Sequence, residues 1–181
     1  MKNALPIALA ALLAEPSFAE SARQFDAHEH GAGELNIAIE GQNVAMELHA
    51  PGADIVGFEY HAESVEDRAA IDAAVATLAR PQELFALPTD AECTVIQASA
   101  SLVAEKEHDE NKEHEQPSHT EFHAEYLLNC TNPSAIDLMT FPYFTAFENA
   151  RELEVQIVTS TGAQAYEVER DAPQLNLRGM F

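Results

Sequence analysis

Positive charge is what this 181-residue chain has least of. Nine Lys and Arg stand against 31 Asp and Glu, a net charge of -22 with the histidines neutral. Nucleic acids and anionic lipids bind through clustered Lys and Arg, so the balance argues against both as partners. It concentrates cations at the surface, although solubility alone would account for it. Cysteine is nearly as scarce. Cys93 and Cys130 are the only two, and a thiolate metal centre wants closer spacing or further cysteines. Catalytic signatures are missing too: there is no Gly-x-Ser-x-Gly elbow and no phosphate-cradling glycine loop. His114-Glu115 begins like a zincin helix, but Ser118 stands where the second histidine belongs and Pro117 forbids the helix. An enzyme is therefore not expected.

Long apolar runs are absent as well. Residues 4–14 form one that is about half the roughly 20 residues needed to cross a bilayer. It follows the basic start Met1-Lys2-Asn3 and precedes Ser17-Phe18-Ala19, with small residues where a signal peptidase reads. Residues 1–19 are expected to be a secretory signal, and residues 20–181 one exported domain without membrane insertion. Cleavage removes Lys2 and Glu15, one charge of each sign, and leaves the net charge unchanged. An oxidising compartment favours joining Cys93 to Cys130. A loop of about 37 residues closed in that way is worth roughly 4 kcal/mol in the chain-entropy model, and the bridge is expected to clamp the base of the histidine-rich segment at residues 104–118.

What the chain does have is histidine. Of its eight histidines, His108, His114, His119 and His123 fall within sixteen positions. Neutral imidazole and carboxylate suit zinc, and nickel and copper bind the same nitrogen donors.

Alternation of apolar residues predicts a hairpin: Leu35, Ile37 and Ile39, a turn at Gly41-Gln42-Asn43, then Val44, Met46 and Leu48, stopped by Pro51-Gly52. Residues 55–58 form a short apolar run that suits a buried strand or a packed loop. From Ser64 to Arg80 the period becomes helical, with Ser64 as N-cap, Glu66 and Asp67 in the first turn and Pro81 ending the run. Residues 92–103 and 121–130 are expected strands. Residues 104–118 have no apolar residue after Ala104 and are expected to form a mobile His/Glu-rich hairpin loop. Short strands follow at 135–139, 153–157, 163–169 and 175–177, with an aromatic segment at 141–149. One main helix among hairpin-linked strands predicts an α+β domain with a mainly antiparallel sheet.

Three constellations carry metal chemistry. His28 and His30 lie at i and i+2, on one face of extended chain. In residues 119–125, His119, Glu121, His123 and Glu125 alternate with Phe122 and Ala124, giving a solvent-side row of donors. His108 and His114 belong to a six-residue repeat inside the loop, which puts them on different sides of any helix. His49 and His61 stand alone. Each is more often a satisfied surface or core histidine than a ligand, and His61 has the better claim because it follows Gly57-Phe58-Glu59 in a loop that can return toward the first hairpin.

The order of these features resembles the ZrgA-type periplasmic zinc-binding proteins. The resemblance is carried by His28-Glu29-His30-Gly31 before Leu35-Asn36-Ile37-Ala38-Ile39-Glu40-Gly41, by Val56-Gly57-Phe58-Glu59, and by the helix, Leu84-Phe85 and Cys93. It continues through the histidine-rich insert, His119 with Glu121, Ala124-Glu125-Tyr126, Cys130 and Val155-Gln156-Ile157. It implies an accessory protein working beside a zinc import system, with the insert as a metal-gathering element. The positions matching the family pattern are His28, His30, Glu59, His119 and Glu121. Where the family has histidine directly after Gly-Phe-Glu, this chain has Tyr60 and then His61. The expected site is one ion held by His30, His119 and Glu121, completed by His28, His61 or His123, with His108 and His114 binding weakly. The rival expectation is an acidic interaction module of the cell envelope, indifferent to zinc.

Overall fold

A computed structural model describes residues 31–104 and 119–180. The expected secretory signal, His28, His30, His108 and His114 lie outside the described residues. β1 (Ala32–Glu40) and β2 (Asn43–Pro51) form the first hairpin, with Gly41 supplying the positive φ of 58° that its two-residue turn requires. α1 (Gly52–Val56) follows at once. The apolar run at 55–58 is thus neither strand nor loop at its start, because Pro51 presets the φ of the N-cap and Gly57, at φ 85°, closes one helical turn. α2 (Val65–Leu78) is the main helix, and the Ser64 hydroxyl accepts the Asp67 N–H at 2.9 Å as an N-cap. Pro81 ends that helix and starts another, α3 (Pro81–Leu84).

β3 (Cys93–Ala104) and β4 (Thr120–Cys130) pair along their whole length, interrupted by a bulge between Val95 and Gln97. β5 (Leu138–Thr140) pairs with β8 (Gln174–Asn176) in a small ribbon; between them in sequence lie α4 (Tyr143–Ala146), β6 (Glu152–Thr159) and β7 (Gly162–Glu169). The main sheet has six strands in the order β3-β4-β2-β1-β6-β7. All neighbours are antiparallel except β1 and β6. The sheet is thus mainly antiparallel, as expected, with that parallel pair its exception. Parallel neighbours need a long crossover, and the chain between β2 and β6 supplies it.

One face of the sheet is dry. Leu35, Ile37 and Ile39 of β1, Val44, Met46, Leu48 and Ala50 of β2, Phe122, Ala124, Tyr126 and Leu128 of β4, and Leu153, Val155 and Ile157 of β6 are buried together with Leu78, Leu84, Ile136, Met139 and Leu177. Phe85 organises an aromatic cluster, its ring 6.0 Å from Tyr126, 6.2 Å from Phe141 and 5.8 Å from Tyr143. Cys93 and Cys130 are bonded, as expected from the compartment. Their place in the hairpin differs from expectation. They tie the end of β3–β4 remote from residues 104–120, so the bridge clamps the open end of the hairpin and not the base of the insert.

Arg170 is the polar tie of the interior. Its guanidinium donates to the carbonyl oxygens of Phe144 at 2.5 Å, Phe147 at 2.5 Å and Ala150 at 2.8 Å, closing the turn after α4. Lysine cannot serve three divergent acceptors, so Arg170→Lys is expected to cost about 2 kcal/mol in urea unfolding. Arg178, exposed on Asp137 at 3.3 Å, is the control: Arg178→Lys should stay within about 0.5 kcal/mol. Burial pushes the phenols of Tyr126 and Tyr143 well above the ordinary tyrosine range, helped for Tyr143 by the nearby Asp54. The folded protein then holds protons that the unfolded chain releases above about pH 10. Stability should fall as pH rises through that point, and Tyr143→Phe should flatten the fall in urea midpoints measured across it.

Candidate metal centre

The other face of the sheet carries the chemistry. Because side chains alternate, Glu47 and His49 of β2 and Glu121, His123 and Glu125 of β4 project from the face opposite the core. The register sets His49 directly across from His123, and their rings lie 4.2 Å apart. Glu121 sits one alternation along β4, flanked by its strand partners Pro51 and Val103. It is 7 % exposed, so the expected solvent-side row is correct for His119 and His123 but not for Glu121.

Glu121 is the hub. Its Oε2 makes a short contact with His123 Nε2 and lies 3.5 Å from His49 Nδ1. On the far side of the His49 ring, Nε2 lies 3.2 Å from Glu47 Oε1. A proton on Nε2 donates to Glu47 and leaves the Nδ1 lone pair turned toward Glu121 and His123. Metal-bound histidines are characteristically held this way, with a carboxylate fixing the tautomer and raising the basicity of the coordinating nitrogen. One donor atom each from His49, Glu121 and His123 lies within 4.8 Å of the other two. Two imidazole nitrogens and a carboxylate oxygen make a set that zinc accepts at about 2.0–2.2 Å, and modest side-chain rotation closes the remaining distance. Among the described residues this is the one such group of three.

Acidic neighbours surround it. Glu34 is the β1 partner of His49, Glu154 the β6 partner of Glu34, and Glu167 the β7 partner of Glu154. Glu47 and Glu125 are likewise direct partners. Like charges placed opposite one another are unfavourable in a sheet.

The other predicted residues are placed differently. His119 turns away from this group to Glu59, with Nδ1 2.7 Å from Glu59 Oε2. Glu59 reaches it because Gly52 lets α1 and the following loop approach the start of β4. His61 is exposed and contributes to neither arrangement. His49, by contrast, reads as isolated in the sequence and is central in the structure. The signal that points to it is its place on the outward face of β2, but the partner strand that completes the site is more than 70 residues away.

The family model for the ZrgA family zinc uptake protein matches residues 27–177. The chain belongs to the ZrgA family. Membership gives the His49–Glu121–His123 group a zinc-related setting, and the mainly antiparallel sheet is the frame that holds it. Comparison with curated proteins finds no match.

Gly52 controls the placement of Glu59. A Cβ there would lie 2.6 Å from Thr120 Oγ1, 2.7 Å from the Phe58 carbonyl oxygen and 2.9 Å from that of Thr120. Two of these atoms are backbone and cannot rotate aside. Gly52→Ala should cost about 1–3 kcal/mol in chemical unfolding and shift the His119 ring resonances as the contact with Glu59 opens.

Proposed function

We propose that this protein is a periplasmic zinc-binding accessory protein that captures Zn2+ for an envelope zinc-uptake system, without catalysing a reaction. Zinc is the cargo. The observation that carries the reading is the convergence of His49, Glu121 and His123 on one face, with Glu47 behind His49. Family membership supports zinc over nickel and copper, which the same donors would accept. The ion takes the place of the proton shared by His123 and Glu121 and draws His49 Nδ1 inward. Because two of three donors are imidazoles, protons compete with the metal, and acidification through the ordinary histidine range releases it. His28 and His30 at the amino end, and His108 and His114 in the insert, add donors that gather ions and exchange them quickly. The acidic surface holds counterions near the site and repels anionic macromolecules.

Calorimetry and thermal melts of the mature chain test this reading. Free zinc at about 100 times Kd should stabilise the fold by about 2.7 kcal/mol. His49→Ala and Glu121→Gln should each weaken binding at least tenfold, equivalent to about 1.4 kcal/mol, while His61→Ala should leave it unchanged. A melting temperature indifferent to zinc, or full affinity in His49→Ala, would exclude the site.

A further inference from the structure

β3 is one edge of the six-stranded sheet, and among the described residues no strand lies beyond it. Open edges are templates for pairing with another chain, and proteins commonly protect them with charge or proline. The opposite edge follows that rule, since β7 carries Glu167 and Glu169. β3 does not. Its twelve residues, Cys93–Ala104, include no charged side chain and no proline, in a chain whose net charge is -22. The first carbonyl is taken by Gln82, whose Nε2 donates to the Cys93 oxygen at 2.9 Å, and the strand beyond it is mostly exposed. The core is also incomplete along this edge. Ala98, Ala100 and Leu102 lie on the dry face, opposite Tyr126, Ala124 and Phe122 of β4. Those β4 residues are buried, whereas all three on β3 are half-buried, and Ile96 is 61 % exposed. We infer that β3 pairs antiparallel with β3 of a second copy of this chain, joining two sheets of six strands into one.

The strand is matched to itself. Read outward from Ser99, Ala98 mirrors Ala100, Gln97 mirrors Ser101 and Ile96 mirrors Leu102. In antiparallel pairing centred on Ser99, each residue meets its mirror on the same face of the joined sheet. Gln97, Ser99 and Ser101 share the wet face with Leu127, Glu125 and His123, and the two alanines share the dry one. The bulge between Val95 and Gln97 ends the alternation, so the match covers residues 96–102. That length gives roughly six to eight inter-strand hydrogen bonds, and Ile96 of each copy covers Leu102 of the other. Charge selects the same strip. Two bodies this acidic repel one another, and pairing through β3 brings them together along a strand that carries no charge. The twofold axis of such a pair stands perpendicular to the sheet, so both wet faces look the same way. From strand rise and spacing, the two His123 positions come to lie roughly 20 Å apart. The two His49–Glu121–His123 groups therefore stay separate, and the pairing needs no metal.

Sedimentation velocity on the mature full chain tests this, with a chelator present so that zinc plays no part. The parent should pass from monomer to dimer as its concentration rises from micromolar to millimolar. Added salt should strengthen the dimer by screening the repulsion between copies, the Debye length being about 10 Å at 0.1 M. Ile96→Lys places a charge where the fold leaves it in water but the seam would bury it, and should weaken dimerisation at least roughly tenfold. Ile96→Leu should preserve it. Directly opposed residues lie about 4.5–5.5 Å apart at Cα, within disulfide reach, so Ser99→Cys should cross-link two copies under mild oxidation. Ala163→Cys, exposed on β7, is the control. The cross-linking comparison stands by itself should Ile96→Lys misfold. A parent that stays monomeric throughout, a dimer that salt dissociates, undiminished dimerisation in Ile96→Lys, or cross-linking in Ser99→Cys no greater than in Ala163→Cys would overturn the pairing.

Discussion

The register of β2 against β4 governs everything on the functional face. His49 meets His123 because Val44, Met46 and Leu48 meet Leu128, Tyr126 and Ala124 on the opposite face of the same two strands. A slip by one residue would turn the imidazoles into the core and the aliphatic side chains into water. Burying each of those large side chains is worth about 1.5–3 kcal/mol, so the core outweighs any single metal ligand in choosing the register. The three donor side chains are brought together by packing on the opposite face of the sheet.

Electrostatics adds tension to that frame. A carboxylate buried as deeply as Glu121 costs stability unless it is hydrogen-bonded, and His123 Nε2 is a partner. Glu34, Glu154 and Glu167 stand directly across from one another on β1, β6 and β7. The face is thus built at some cost to the free protein, in an arrangement suited to a positive guest.

Much of this was legible in the residues. Strict alternation at 35–39, 44–48 and 122–128 announced strands with one wet side, Ser64 with Asp67 announced the start of the main helix, and the presence of just two cysteines pointed to their bond. The donors His119, Glu121 and His123 were visible as an alternating run. Three things were not. The turn of helix after Pro51 depends on Gly57 accepting a left-handed backbone, which a short apolar run does not disclose. The parallel pairing of β1 with β6 is a choice among sheet edges that local pattern cannot make. His49 lacked any neighbour in sequence, since its partners come from a strand more than 70 residues away, and the register that joins them is a tertiary property. The contact of His119 with Glu59 is tertiary in the same way, joining residues 60 apart in the chain.

The position of the disulfide has a consequence for how the domain tolerates change. Cys93 and Cys130 fasten β3 to β4 at one end, and strand pairing continues without them to Ala104 and Thr120 at the other. Whatever peptide joins Ala104 to Thr120 therefore hangs from ends already held side by side. Doubling the length of such a connection adds only about 0.6 kcal/mol of closure entropy. The number of histidines carried there is adjustable almost independently of the folded scaffold, so the composition of that connection is a modular trait and the strand register a fixed one.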